Sequence, residues 1–319
     1  KNMQIIKKIV KKILMMTIGY DLYEKKIFLV GNKLAFIQKK IKKIKNLKEV
    51  EFSVFSQWGD DGIINWLIQN IPIKNKVFLE IGTEDYIESN TRFLLKYRNW
   101  NGYIIEGNKD HVKNIKKQTV HWKYDLNVCQ KFITKENINN TIKSLNLKSE
   151  IGLLSLDIDG IDYWIWKELK VIKPIIFVCE FNSVFGDLND ITVPYKKDFN
   201  RTKFHYSNLI YGASLKAFIS ISNKKGYKFV GTNSNGVNAY FVKKKYYKYI
   251  KNKITKIKNY ISKHRESRDK NYKKNFIRNL ERYEKIKKVD LVDLNRNKKI
   301  KLNNYNKIYS TSWERQLNN

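Results

Sequence analysis

A chain of 319 residues is long enough to bury a sizeable core, as one large domain with extensions or as two domains. Its formal charge of +34 is uneven: +12 falls on residues 1–48, +18 on residues 243–319 and only +4 on the stretch between them. Two separated cysteines, Cys129 and Cys179, with no CxxC, exclude a disulfide framework and a zinc site and fit a reducing, cytoplasmic compartment.

Basic flanks attract polyanions, whether nucleic acid, anionic lipid or acidic polysaccharide. Lys, Asn, Ile and Tyr dominate everywhere, which an AT-rich genome also produces without any such partner. No segment approaches the roughly 20 apolar residues of a membrane span, and lysines 7, 8, 11 and 12 interrupt every apolar run a signal peptide would need.

Residues 4–17 set Ile5, Ile6, Ile9, Val10, Ile13 and Leu14 against those lysines at helical spacing. The spacing predicts a basic amphipathic helix, able to lie on the inner face of an anionic membrane or to pack on its own domain. Residues 34–47 repeat the theme less cleanly, with Phe36, Ile37, Ile41 and Ile44. From Phe55 to Ile71, Ser56 and Asp60-Asp61-Gly62 read as a start signal for a helix with Ile63, Leu67 and Ile71 in its stripe.

The organising stretch is Lys76 to Asn108. The short apolar run Val77–Ile81 reads as a buried parallel strand ending at Glu80 and Gly82, and Glu88-Ser89-Asn90 caps a helix carrying Phe93, Leu94 and Tyr97. A second strand, Tyr103–Ile105, ends in Glu106, placed to take ribose hydroxyls. The competing reading is a plain strand-to-helix turn of an α/β protein.

A third strand end is expected over His121–Asp125 and a helix within Lys131–Leu147. Leu153–Leu169 gives a strand, the acids Asp157, Asp159 and Asp162, and a helix with Trp164 and Trp166 inward; Ile175–Asn182 is a further strand ending in Glu180. Asp157, Asp159 and Glu180 thus meet at neighbouring strand ends, where three acids suit a divalent metal such as Mg or Mn, or substrate hydroxyls. Turn chemistry at Asp159-Gly160 and capping by Asp162 explain the same residues without a ligand. Residues 183–210 read as a lid or substrate wall, with His205 the histidine placed for general-base work. A helix over Tyr211–Lys224 and a hairpin around Asn235-Gly236 close the core. Ile250, Ile254, Ile257 and Ile261, then Phe276, Leu280 and Tyr283, mark two lysine-rich amphipathic helices. The boundaries predicted are a basic helical extension over 1–52, an α/β domain over 53–243 and a basic helical extension over 244–319.

The blocks SQWGDDGI, EIGTEDYIESNTRFL, GYIIEGN, LLSLDIDGIDYWIW, CEFNSVFG, TVPY and YGASLKAF, spread over residues 53–243, resemble a bacterial branch of the FkbM-like class I S-adenosylmethionine-dependent methyltransferases. The resemblance implies a doubly wound, mostly parallel seven-stranded sheet with an antiparallel last strand. It implies S-adenosylmethionine as cofactor, with Glu80 and Gly82 bordering its methionine part, Asn90 at the head of the next helix, Glu106 on the ribose and Asp125 near the adenine. Asp157 would then sit between methyl donor and acceptor. Where the family pattern has a second and a third glycine, this chain has Glu84 and Tyr86.

Three functions follow as expectations. The first is O-methylation of a sugar or polysaccharide hydroxyl, in a glycan or a small-molecule acceptor, with Asp157 or His205 as base. The second is methylation of RNA held by the basic flanks. The third is a non-catalytic descendant at an anionic membrane surface in envelope glycan assembly.

Overall fold

The computed structural model describes residues 22–318; the basic helix expected over 4–17 lies outside them. Short apolar runs become strands. β1 (Val77–Ile81), β2 (Asn101–Glu106), β3 (Leu126–Gln130), β4 (Leu153–Leu156) and β5 (Ile176–Glu180) pair in parallel. The two-residue β6 (Ile191–Thr192) stands apart, and β7 (Tyr227–Thr232) and β8 (Asn238–Lys243) form the closing hairpin. The sheet order is β3-β2-β1-β4-β5-β8-β7, with β8 antiparallel to both of its neighbours. This is the expected α/β architecture, doubly wound and mostly parallel with seven strands. The chain starts in the middle, works outward through β3, and returns to the far side of β1 with β4, so the winding direction switches between β1 and β4.

Helix α1 covers residues 22–38. It is followed by α2 (Asp60–Asn70), α3 (Arg92–Arg98), α4 (Lys109–Lys117), α5 (Thr119–Lys123), α6 (Ile138–Ser144), α7 (Asp162–Glu168), α8 (Arg201–Phe204), α9 (Leu215–Lys224) and α10 (Lys244–Tyr247). Successive strand residues point to opposite faces. Phe78, Ile104, Ile176 and Tyr240 therefore join Trp66 and Leu67 of α2 and Leu94 of α3 on one side. Leu79, Ile105, Phe177 and Phe241 join Ile165 and Trp166 of α7 and Phe218 of α9 on the other. The Trp166 and Phe177 rings stack at 3.8 Å between centroids, which contributes about 1 kcal/mol beyond their area burial. With both faces covered, only the ends of the strands remain to carry chemistry.

Two expected elements differ. Residues 119–123 form α5, and β3 begins only at Leu126, so Asp125 precedes its strand instead of ending one. The isoleucines of 250–261 lie in turns and extended chain: Ile44 N–H donates to Lys253 O at 2.8 Å and Thr255 N–H to Ile44 O at 3.0 Å, so this segment finds backbone partners in the 39–46 stretch. The C-terminal part contributes α11 (Asn279–Ile286), β9 (Leu291–Asp293), β10 (Lys298–Ile300) and α12 (Thr311–Asn318). β9 pairs with β6 as well as β10, and Trp313 of α12 is fully buried in the same apolar cluster as Phe181.

Candidate functional site

A cavity of about 660 Å³ opens at the C-terminal edge of β1, β2, β4 and β5, the edge that the switch in winding leaves uncovered. Its floor is made where β1 runs into Gly82. A Cβ on Gly82 would stand 1.6 Å from the Asp157 carbonyl oxygen, and the residue has φ +80°, so the loops after β1 and β4 touch through backbone that no side chain fits between. Beyond it, Glu84 and Tyr86 also adopt left-handed backbone, with φ +47° and +62°. These are the two positions where the resemblance has glycines. The loop keeps a glycine-type path with larger residues on it. Tyr86 turns its ring into the core and shares a 3.0 Å hydrogen bond with Thr91, leaving the cavity side to Gly82, Thr83 and Glu84.

Glu106 fixes that loop from the next strand. Its carboxylate accepts the Thr83 and Glu84 N–H groups at 3.1 and 3.0 Å and the Asn108 N–H at 2.8 Å. A carboxylate has about four acceptor directions, so one remains for a further donor. Glu80 accepts the hydroxyls of Ser89 and Thr91 and the Asn90 N–H, and burial raises its proton affinity. Asn90 donates to Ser155 at 3.1 Å, tying the head of α3 to β4. Thr83 lines the cavity, and its buried hydroxyl has no hydrogen-bond partner among the described residues.

On the other half of the cavity, Asp157, Asp159 and Glu180 each bring an oxygen within 4.8 Å of the others. Burial and the charges of their neighbours push Asp157 and Glu180 well above the usual carboxylate range. Arg201 from α8 forms an ion pair with Asp159 and lies over the Tyr211 ring, 4.6 Å from its centre. Asp162 does not join them: it accepts the N–H groups of Ile158 and Gly160 at 2.8 and 3.0 Å and holds the β4 loop in place.

Of the residues singled out in the sequence, Glu80, Gly82, Asn90, Glu106, Asp157, Asp159 and Glu180 line this one cavity. Asp125 does not: it is exposed at the N-terminal end of β3, whose other end supplies Lys131. His205 does not either. It closes α8 with its Nδ1 2.7 Å from Ser207 Oγ, while His111 and His264 are the histidines on the cavity wall. Nothing in local sequence pattern marks His264 or Glu266. They come from a segment clamped at the rim by Arg282, which donates to the carbonyls of Ser262 and His264. The His264 ring packs edge-on to Trp58 at 5.7 Å, and burial lowers its pKa, so the imidazole is neutral at pH 7. Arg201, not singled out in the sequence, lies within the connection expected to be a substrate wall, and Tyr211 directly follows it.

The residues fit two kinds of occupant. Eight of the chain's 30 acids line the cavity against Lys131 and Arg201, in a protein of net charge +34. The unpartnered Thr83 hydroxyl and the remaining acceptor direction of Glu106 suit a polar ligand beside the β1 loop. The three-carboxylate oxygen set suits a hard divalent cation, which would offset the charges that raise the proton affinity of Asp157 and Glu180.

No protein-family model matches the chain, and no curated protein matches it. Solved structures are similar in fold. The N-terminal domain of EvdMO1 with SAH bound is 9% identical, covering 59% of this chain and 81% of that one, with a TM-score of 0.40. A SAM-dependent methyltransferase from Aquifex aeolicus is 11% identical (61% of this chain, 94% of that one, TM-score 0.34). An S-adenosylmethionine-dependent methyltransferase from Clostridium acetobutylicum ATCC 824 is 10% identical (58% and 90%, TM-score 0.35). At these values the likeness says nothing of activity, which has to be read from the cavity itself.

Proposed function

We propose that the cavity binds S-adenosylmethionine and that the chain is an O-methyltransferase acting on a sugar or polysaccharide hydroxyl, as the resemblance to the FkbM-like group suggests. The observation that carries this reading is the gathering of eight acids at the switch-point edge of the sheet in a strongly basic chain. Bound there, S-adenosylmethionine supplies an electrophilic methyl on a positively charged sulfonium.

The chain's own groups divide the work. Gly82, Thr83 and Glu106 present backbone, a hydroxyl and a carboxylate to the nucleoside and amino-acid parts. Asp157, just after β4, lines the same cavity as Phe199, Arg201, Tyr211 and His264, and on this reading it would sit between the methyl donor and the acceptor. A raised proton affinity makes its carboxylate a better base toward an acceptor hydroxyl, because a base works best with a pKa near the operating pH. Asp159 and Glu180 would complete the ligand set for Mg or Mn, which would lower the hydroxyl's own proton affinity. The acceptor wall, with the aromatic faces of Phe199 and Tyr211 and the hydrogen-bonding groups of Arg201 and His264, suits a sugar.

The test is calorimetry of S-adenosylmethionine binding to the wild type and to Glu106→Ala, followed by methyl-transfer assays on glycan acceptors with and without divalent metal. Micromolar binding that the variant loses supports the cofactor site. A folded wild type that binds no S-adenosylmethionine overturns the proposal.

A further inference from the structure

Helix α1 has two apolar faces, and among the described residues only one of them is packed. The inner face, at positions 24, 28, 31, 35 and 38, is fixed to the domain. Glu24 pairs with Arg92 and Lys96, Phe28 packs against Phe55 and Phe93, Ala35 is fully buried, and Gln38 donates to the carbonyls of Val50 and Gly62. A Cβ on Gly31 would meet Val54 and Phe93, which shows how closely this side approaches. The helix therefore cannot rotate to bury its other side.

That other side carries Leu22, Leu29, Val30, Phe36 and Ile37, each more than half exposed. They recur at a seven-residue interval with the exposed Lys26 and Lys33, which places all of them on one side of the helix, and the exposed Lys40 follows in the turn that ends it. No acid occurs between residues 25 and 48, so nothing on this stretch offsets the lysines. Over residues 22–38 the helix is about 25 Å long.

We infer that this outward face docks on an anionic lipid bilayer, with the helix lying in the plane of the interface. The pattern decides among occupants. A second copy would bring Lys26, Lys33 and Lys40 against their own counterparts, which like-charge repulsion opposes. A nucleic acid would pair with the lysines and leave Leu29, Val30, Phe36 and Ile37 in water. A bilayer accepts both sets: the apolar side chains enter the acyl boundary while lysine stems extend and place their ammonium groups among the anionic headgroups. Among the described residues no helix is long and apolar enough to cross a membrane, so the mode is lying on the surface. The neighbouring α5 is linked to this corner through Gln118, which accepts from Arg92, and it exposes Trp122 with Lys123 over its ring. Tryptophan of that kind is enriched at membrane interfaces. The inference is independent of what the cavity binds.

The experiment is flotation of the full chain with vesicles of phosphatidylcholine alone and of phosphatidylcholine with phosphatidylglycerol, beside Leu29→Glu/Phe36→Glu and Lys26→Glu/Lys33→Glu. All four positions are exposed, so melting temperatures stay at the wild-type value. The wild type floats with anionic vesicles and remains in solution with neutral ones, and each double variant loses at least about tenfold of the bound fraction. Failure of the wild type to float with anionic vesicles at low salt overturns the inference. Flotation that survives Leu29→Glu/Phe36→Glu and fails only in the lysine variant also overturns it, because lysine charge alone would then account for binding, as it would for RNA. A concentration-dependent dimer abolished by Leu29→Glu/Phe36→Glu, without flotation of the wild type, assigns the face to a second copy instead.

Discussion

The backbone carbonyl of Asp157 fills the space in which a Cβ on Gly82 would stand. The first residue after β1 and the first acid after β4 are thus pressed together by main chain, with Asp157 N–H donating to Ile81 O at 3.0 Å beside them. Gly82→Ala must both separate two adjacent strands and force a side chain into φ +80°. The expected loss is about 3 kcal/mol or more, since neither the backbone contact nor the left-handed conformation has an inexpensive escape. Denaturant unfolding checks it; a loss below about 1 kcal/mol would show that the two loops can part freely.

Glu84 and Tyr86 make a contrasting pair. Both are left-handed, which costs a non-glycine residue on the order of 1 kcal/mol or more. Glu84 is half-exposed on the cavity side, so Glu84→Gly relieves strain and removes little; stability rises by about 0.5–1 kcal/mol. Tyr86 is fully buried among Leu94, Leu95 and Trp100, and Tyr86→Gly loses about 3–5 kcal/mol despite the same backbone relief. Thermal and denaturant unfolding of the two variants should move in opposite directions.

Glu106→Gln separates shape from charge. Glutamine keeps the size of the side chain but replaces one carboxylate oxygen with a donor, which faces the N–H groups of Thr83, Glu84 or Asn108. A donor facing a donor leaves buried groups unpaired, at a cost of about 1–3 kcal/mol. The β1 loop should loosen and S-adenosylmethionine affinity should fall at least about tenfold, read by calorimetry. Unchanged affinity would mean that the clamp on the loop is not part of the cofactor site.

The strands and the acids at their ends were legible because both follow local rules. A four- to six-residue apolar run closed by a carboxylate cannot be much other than a buried strand reaching the open edge, and Glu80, Glu106, Asp157 and Glu180 all arrive at the cavity by that route. Asp125 was misplaced because His121–Lys123 has no alternation, and the choice between helix and strand there rested on its position alone. The isoleucines at 250, 254, 257 and 261 have a helix period, yet pairing of Ile254 with Ile44 overrode it through a contact that no local window contains. His264, Glu266 and Arg201 were illegible for the same reason. Arg282 and Ser183 position the 262–264 segment across long stretches of chain, and only the folded path brings them to the rim.

Trp313 tests how far the C-terminal part belongs to the core. It is fully buried, its ring lies 6.3 Å from that of Phe181, and it shares a cluster with residues of β1, β4 and β5. Trp313→Ala should cost about 3–5 kcal/mol, the range for removing a large buried aromatic. It should also lower S-adenosylmethionine affinity, because Gln316 of the same helix accepts the Ile261 N–H next to the rim segment. A loss below about 1 kcal/mol in denaturant unfolding would mean that α12 is an appendage.

The acid cluster gives a pH dependence of definite sign. Burial and neighbouring charges raise Asp157 and Glu180 well above the carboxylate range, and burial carries Asp162 to about 6. A raised acid binds its proton in the folded state at pH values where the unfolded chain has released it. Its contribution to stability is therefore full below about pH 4 and is lost as pH rises through the raised value, about 6 for Asp162. Asp157→Asn removes one of the repelling charges without changing the shape, so it should stabilise the protein at pH 8 by about 1 kcal/mol more than at pH 5. Millimolar Mg or Mn should raise the wild-type melting temperature at pH 8 and have less effect at pH 5, where protons compete for the same oxygens, and the variant should lose most of that response. Paired unfolding curves at the two pH values, with and without metal, read all of this at once. A variant whose advantage is the same at both pH values would show that Asp157 does not change its ionisation between pH 5 and pH 8. A metal response that survives Asp157→Asn would place the ion somewhere other than between Asp157, Asp159 and Glu180.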